Sequence, residues 1–206
     1  MKVLLLNGSP HASGSTCTAL AEVQRGLADN GIATEFFHIG TKPVRGCIAC
    51  KKCKQTKRCV FTDDAACALS DKISACDGLV IGSPVYYASA NGALVALLDR
   101  VFYADGDYAG KLGASIAVAR RAGTTATMDM LNKYFSISNM PIVSSFYWNM
   151  VHGHNPEQVR QDIEGMQIMY TIGQNMAWLL ECIAAGKKAG IKPPVIGPIT
   201  RTNFIR

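Results

Sequence analysis

Near the start of the chain, Val3-Leu4-Leu5-Leu6 is an uninterrupted apolar run stopped at once by Asn7-Gly8-Ser9-Pro10. A run this short with no polar alternation is a strand covered on both faces, and such strands belong to parallel sheets flanked by helices. The pattern then recurs. A helix is expected from about Ser15 to Asp29, with Leu20, Val23 and Leu27 at helical spacing and Asn30-Gly31 as its stop. Thr34 to Ile39 reads as a second strand. Gly78 to Ile81 is a third, closed by Gly82-Ser83-Pro84 and followed by an apolar helix over Asn91 to Tyr103 carrying Leu94, Leu97, Leu98 and Val101. Leu112 to Ala119 reads as a fourth strand, Thr124 to Phe135 as a helix and Ile142 to Phe146 as a fifth strand. Asn155-Pro156-Glu157 then opens a long helix reaching about Lys187, with Ile163, Met166, Ile172, Met176, Leu179 and Ile183 as its core stripe.

Five short apolar strands alternating with helices argue an α/β fold, a doubly wound parallel sheet in a single domain over residues 1–206. With 49% hydrophobic and 17% charged residues, disorder is excluded and a full core is available. The opening apolar run is far short of the roughly 7 to 15 residues of a signal peptide or the ~18 of a membrane span. The expectation is a cytoplasmic protein with no membrane partner. Eight cysteines in a reducing compartment point to a metal, a cluster or redox chemistry rather than to disulfides.

Ligands of such sheets bind beyond the carboxyl ends of the strands, which directs attention to the turns. After strand one, the segment Gly8 to Thr16 offers the hydroxyls of Ser9, Ser13, Ser15 and Thr16 and the free N–H groups of a helix start, a suitable seat for a phosphate. It has neither a P-loop nor a G-x-G-x-x-G pattern, so it suits a monophosphate held without magnesium. The same residues would also serve as a plain helix cap. After strands three and four come Ser83-Pro84-Val85-Tyr86-Tyr87 and Arg120-Arg121-Ala122-Gly123. Aromatics that merely cover the next helix, and arginines that are solvated or salt-bridged, are the plainer accounts of these two turns.

Thr41 to Thr62 fits neither a helical nor a strand period. It contains Cys47-x2-Cys50-x2-Cys53-x5-Cys59, together with Lys42, Arg45, Lys51, Lys52, Lys54, Lys57 and Arg58, and no acidic residue occurs between Glu35 and Asp63. Two C-x2-C steps that share a cysteine let one loop wrap three corners of a cubane, with the fourth ligand arriving later. Zinc sites more often draw two separate knuckles from distant segments. The surrounding cations suit an anionic [4Fe-4S] cluster and would lower thiol pKa values in an empty loop. Redox-active free thiols and zinc remain alternatives. Seven of the 21 basic residues crowd this one loop, with no recognition helix or aromatic RNA signature, so nucleic acid is not expected as a partner. Cys17, Cys67, Cys76 and Cys182 read as buried inert thiols. Asp63-Asp64 suit the first turn of a helix running to about Ala75, and Asp99-Arg100 reads as a structural ion pair or helix-end contact.

Gly8-Ser9-Pro10 with Ser15-Thr16, Gly82 to Tyr87, Asp99-Arg100, Arg120 to Gly123, Glu164-Gly165-Met166 and Gly173 to Ala177 together resemble the flavodoxin-like NAD(P)H-dependent FMN reductases. The cysteine motif resembles that of the iron-sulfur flavoprotein branch. The resemblance implies a five-stranded flavodoxin-like sheet, FMN phosphate on Ser9, His11, Ser15, Thr16 and the amide of Cys17, and homodimers or homotetramers with the flavin near a subunit interface. The family more often has Arg where His11 stands and Asn where Ser15 stands. Ser83, Pro84, Val85, Tyr86 and Tyr87 would then supply amides and flat surface to the isoalloxazine, with Arg120, Arg121 and Gly123 facing the flavin carbonyls or a nicotinamide phosphate. Cys47, Cys50, Cys53 and Cys59 would hold the cluster.

Tyr147 to His154 is too aromatic for an ordinary connection and suits a subunit contact or a lid over a flat cofactor. His152 and His154 lack a third ligand, and no Ser-His-Asp order or H-E-x-x-H spacing supports a hydrolase. The expected function is an FMN-dependent oxidoreductase passing electrons between FMN and the cluster. Its donor or carrier would be NAD(P)H or a ferredoxin-like protein, and a quinone or flavin would serve as acceptor. A cluster-free NAD(P)H-dependent flavin or quinone reductase and a non-catalytic flavin carrier or sensor are the alternatives.

Overall fold

The structure, a computed structural model, describes residues 1–104, 106–200, 202 and 204. In chain order the elements are β1 (Lys2–Asn7), α1 (Ser15–Ala28), β2 (Ala33–His38), α2 (Cys53–Thr56), α3 (Ala66–Ser74), β3 (Gly78–Tyr86), β4 (Ser89–Ala90) and α4 (Gly92–Tyr103). They continue with β5 (Leu112–Ala119), α5 (Thr124–Ile137), β6 (Met150–His152), α6 (Pro156–Gln161) and α7 (Ile163–Lys188). Five strands pair in parallel in the order β2-β1-β3-β5-β6, and β4 is a two-residue antiparallel return on the end of β3. The strand order reverses beside β1 and β3, and this switch opens a crevice at their carboxyl ends.

Successive side chains of a strand face opposite sides of the sheet, so the apolar run of β1 feeds two cores at once. Val3 and Leu5 pack with Val80, Ile116, Leu20, Val23, Ile172 and Met176 on one face. Leu4 and Leu6 pack with Leu79, Ile81, Leu69, Leu94, Leu98 and Phe135 on the other. Helices α1 and α7 cross in close contact. A Cβ on Gly26 would lie 2.2 Å from the Tyr170 carbonyl oxygen, and one on Gly173 would lie 2.4 Å from that of Val23.

Three expectations are corrected. The fifth strand is Met150–His152, inside the segment read as an aromatic loop, while Ile142 keeps only a bridge to Gly113. The chain touches the sheet at Val143, whose N–H donates to the Gly113 carbonyl at 2.7 Å. It then leaves, because the Ser144 carbonyl accepts from Asn175 on α7 and the Ser145 hydroxyl donates to the Tyr147 carbonyl. Phe146, Tyr147 and Trp148 ride this excursion as exposed side chains. The long final helix is interrupted at Asp162, whose carboxylate caps the Gly165 N–H at 2.9 Å and also accepts the His152 N–H at 2.6 Å. A short acidic side chain competes for backbone donors in this way and ends one helix as it starts the next. Ile163, the first residue of α7, is therefore exposed rather than core, whereas Ile172 and Met176 are fully buried.

Candidate functional site

The turns after β1, β3 and β5 meet at one edge of the sheet. The first is shaped by Asn7, which is buried at the end of β1: its Oδ1 accepts the Ser9 N–H at 3.0 Å and its Nδ2 donates to the His11 carbonyl at 3.2 Å. Ser9 is also buried, with its hydroxyl oxygen accepting the His11 N–H at 3.1 Å, and His38 at the end of β2 sits 2.9 Å from the Ser9 carbonyl oxygen. Helix α1 starts after Gly14 with no side-chain cap. The first-turn amides of Ser15, Thr16 and Cys17 have no partner within the helix, and this end of the helix dipole favours an anion. Of the expected phosphate residues, Ser9 and Thr16 are buried, Ser15 and Cys17 half-buried, and His11 and Ser13 exposed. Burial pushes the Cys17 thiol above its ordinary pKa, which keeps it neutral.

The second turn is tied to the first through Asn91, the cap of α4. Its Nδ2 donates to the Gly8 carbonyl at 2.8 Å and its Oδ1 accepts the Ala93 N–H, while the Gly8 N–H donates to the Gly82 carbonyl at 2.8 Å. Ser83 is fully buried, and its hydroxyl is spent inside the turn, donating to the Pro84 carbonyl and accepting the Asn91 N–H. It therefore shapes the turn, while Pro84, Val85, Tyr86 and Tyr87 lie along its rim. Tyr86 is about half exposed (44%) and Tyr87 projects fully into solvent from a left-handed backbone (φ 57°).

The third turn leans on the second at Gly123, which has φ +96°; a Cβ there would lie 2.7 Å from Val85 Cγ1. Arg120 and Arg121 are exposed, and His152 on β6 holds the Arg121 carbonyl at 3.1 Å. The structure thus brings all three turns to one crevice. Asn7, His38 and Asn91 complete it, and sequence reasoning missed them as parts of the site. Asn7 and Asn91 are visible beforehand as a turn residue and a helix cap; Asn7 bonds within its own turn, whereas the Asn91 partner, Gly8, lies 83 positions away and leaves no signal in the sequence.

The cysteine loop stands on α3 and α4. Cys47, Cys50, Cys53 and Cys59 line one recess together with Ile48, Lys51, Val60, Phe61, Arg100 and Tyr103. Ala49 and Lys51 both adopt left-handed backbone (φ 53° and 60°), one in each C-x2-C step, and these turns coil the loop around the recess. Cys53 opens the short helix α2 and is buried, Cys59 is half-buried, and Cys47 and Cys50 are exposed. Among the described residues no three such side chains are gathered around a single point as one ion would require. Four sulfur donors lining one recess fit the larger cluster by their chemistry.

Lys51 lines the recess with the thiols, but three of the other basic residues are engaged elsewhere. Arg58 pairs with Asp71, Arg45 stacks 4.4 Å over the Phe61 ring, and Lys54 lies over Tyr103 and donates to its carbonyl. The cation that reaches Cys59 is Arg100 from α4, whose Nε donates to the sulfur at 3.3 Å. Arg100 forms its ion pair with Asp64, not with the adjacent Asp99, which instead accepts the Tyr134 hydroxyl. Burial alone would raise the Asp64 carboxyl, but the Arg100 guanidinium and backbone N–H groups outweigh it and hold it below its ordinary pKa. Of the cysteines read as inert, Cys67 and Cys76 are buried, Cys17 is half-buried and Cys182 is exposed.

The sheet order, with a strand-to-helix turn at its switch point, defines a flavodoxin-like protein. A family model for NADPH-dependent FMN reductases matches residues 1–155, and the chain belongs to that family of flavin-dependent oxidoreductases. It is 29% identical over 192 residues to an iron-sulfur flavoprotein of Methanocaldococcus jannaschii, covering 89% of this chain and 99% of that one. It is 28% identical over 191 residues to an iron-sulfur flavoprotein of Methanosarcina thermophila, covering 89% and 97%. Among solved structures, an NAD(P)H:quinone oxidoreductase from Methanothermobacter marburgensis superposes with a TM-score of 0.64 at 14% identity, covering 85% of this chain and 96% of that chain. An archaeal flavodoxin superposes with a TM-score of 0.60 at 12% identity, covering 88% and 99%. These two likenesses establish the fold. No helix among the described residues is long and apolar enough to cross a membrane.

Proposed function

We propose that the chain is a single-domain, FMN-dependent oxidoreductase of the iron-sulfur flavoprotein type, holding FMN at the three turns and a [4Fe-4S] cluster on Cys47, Cys50, Cys53 and Cys59. The observation that carries this reading is the presence in one chain of an uncapped helix start in a hydroxyl-lined turn and, at the other end of α4, a recess lined by four cysteines. FMN, when bound, accepts electrons singly or in pairs and so connects hydride donors with one-electron carriers.

In this reading Ser9, Ser15, Thr16 and the Cys17 amide hold the phosphate, with Ser13 and His11 at its solvent side. The amides of Pro84's neighbours, Val85, Tyr86 and Tyr87, meet the edge of the ring system on the turn that Ser83 shapes. Arg120 and Arg121, on the turn that begins α5 at Gly123, supply positive charge toward a nicotinamide phosphate or the ring carbonyls. The chain's residues bind, orient and tune, and none stands as a general acid or base. The basic outer face of the cysteine loop suits an acidic carrier protein of the ferredoxin kind, and a quinone or free flavin suits the open crevice as acceptor. The exposed Phe146-Tyr147-Trp148 excursion suits a contact between copies in a homodimer or homotetramer.

The test is anaerobic reduction of the purified protein with NADPH, followed by visible and electron paramagnetic resonance spectroscopy. The reading predicts bleaching of flavin bands and a paramagnetic signal from a reduced cluster. Flavin bleaching with no such signal under any reductant would favour the cluster-free flavin or quinone reductase, a reading favoured by the exposure of Cys47 and Cys50.

A further inference from the structure

We propose that Arg100 is the positioning residue of the cysteine loop: it fixes the Cys59 sulfur before any cluster arrives and, through its N–H bond to that sulfur, raises the reduction potential of a cluster held there. This rests on the reading that the loop carries an iron-sulfur cluster.

Arg100 is only 2% exposed, on the face of α4 turned toward the loop. Every edge of its guanidinium is used. Nε donates to Cys59 Sγ at 3.3 Å, Nη1 donates to the Arg45 carbonyl at 3.2 Å and to the Asp64 carboxylate, and Nη2 donates to the Phe61 carbonyl at 3.1 Å. Arg45 lies two residues before Cys47 and Phe61 two residues after Cys59, so a single side chain grips both arms of the motif. A buried cation needs an anionic partner and satisfied donors. Asp64 already supplies the charge, so the bond to sulfur is not required for neutrality and instead places a donor on Cys59. Cys67 reinforces the same arm by donating to the carbonyls of Cys59 and Phe61 at 3.5 and 3.6 Å.

The loop therefore has a preset half and a free half. Cys53 is buried at the start of α2 and Cys59 is held by Arg100, whereas Cys47 and Cys50 are exposed beside left-handed residues and can close on an incoming cluster. The same helix begins at Asn91, which is bonded to the Gly8 carbonyl in the phosphate turn, so α4 places both sites, with Arg100 about 13 Å along the axis from Asn91. A donor on a ligating sulfur stabilises the more negative, reduced state of the cluster, and hydrogen bonds to sulfur are a principal control of cluster potential. A lysine keeps the charge but cannot span four acceptors.

The experiment compares wild type, Arg100→Lys and the double variant Asp64→Asn with Arg100→Gln, which removes both buried charges together. Iron, sulfide and FMN are quantified after anaerobic purification, and cluster and flavin are titrated separately by paramagnetic resonance and absorbance. The expected result is retained FMN with a cluster harder to reduce. A tenfold change in its oxidised-to-reduced ratio at fixed potential would correspond to about 59 mV for a one-electron couple, with the flavin midpoint unmoved. Iron lost while FMN stays would equally support the positioning role. Unchanged cluster potential in both variants with full iron would overturn the proposal, as would loss of FMN together with iron, which would mark Arg100 as a general fold residue. A wild type without iron or sulfide would instead refute the cluster reading. The clamp would then be judged by limited proteolysis within residues 41–62, where Arg100→Lys should be cut faster and equal rates would reject it.

Discussion

Replacing Gly123 by alanine tests whether the second and third turns act as one wall of the crevice proposed to hold the flavin. Gly123 has φ +96°, and a Cβ there meets Val85 Cγ1 at 2.7 Å and the Ala88 backbone at 3.4 Å. Left-handed backbone costs an alanine about 1–2 kcal/mol, and forcing a methyl into a filled contact about 1–3 kcal/mol. Reduced freedom of the unfolded chain returns roughly 0.4–1 kcal/mol. The net expectation is a loss of about 2–3 kcal/mol, which for a chain of this size lowers Tm by about 5–10 °C. If the turn relaxes by pushing Val85 away and binding must draw it back, half of that strain falls on the ligand, and FMN affinity drops about tenfold. The assay is thermal unfolding of the FMN-free protein, with FMN titration followed by quenching of flavin fluorescence. Gly92→Ala is the control, because nothing lies within 4 Å of its Cβ position and its backbone is not left-handed. It should leave FMN affinity unchanged. A Gly123→Ala protein that melts and binds like wild type would refute the packing of the two turns.

Three further outcomes follow from particular contacts. Asn91→Ala removes a helix cap and leaves the Gly8 carbonyl without its donor, so stability should fall by about 2 kcal/mol and FMN should bind more weakly, measured by denaturant unfolding and titration. Cys50→Ser should lower iron content while leaving FMN bound, because the two sites use separate segments; unchanged iron by metal analysis would reject the ligand assignment. Asp64→Asn should alter the acid limb of stability. The native carboxylate is held below its ordinary value of 3.8, so its contribution is complete above that value and is lost as pH falls through the lower native value. The wild type should therefore show a steeper loss of stability than the variant below about pH 4, measured by circular dichroism melts across pH. The variant should be less stable at neutral pH, where Arg100 keeps no counter-charge.

The elements most visible in the sequence are those whose neighbours are dictated by periodicity. The run Val3 to Leu6 has no polar face, so β1 had to be an interior strand, and the helical spacing of Leu94, Leu97, Leu98 and Val101 gave the buried face of α4 directly. Ile142 to Phe146 has strand composition, yet the fifth strand of the sheet is Met150–His152. What removes Ile142 to Phe146 from the sheet is long-range: Asn175 takes the Ser144 carbonyl, and the strand resumes only at Met150. The break at Asp162 was hidden for a similar reason, since its second partner is the backbone of His152. The three turns could be read because each follows a strand end. The ties of the first turn to His38 and Asn91 could not, because they join residues 29 and 83 positions apart. Arg100 shows the limit most clearly. Its sequence neighbour Asp99 suggested a local pair, but one helical step separates their directions, and Arg100 faces Asp64 and Cys59 while Asp99 faces Tyr134.

In the proposed function one chain of this family carries both FMN and an iron-sulfur cluster. Anaerobic purification followed by determination of flavin, iron and acid-labile sulfide against protein tests it most directly. About one FMN, four iron and four sulfide per chain are expected, as a single [4Fe-4S] cluster requires. FMN at full occupancy with neither iron nor sulfide, in protein whose four loop thiols are still reduced, would contradict it.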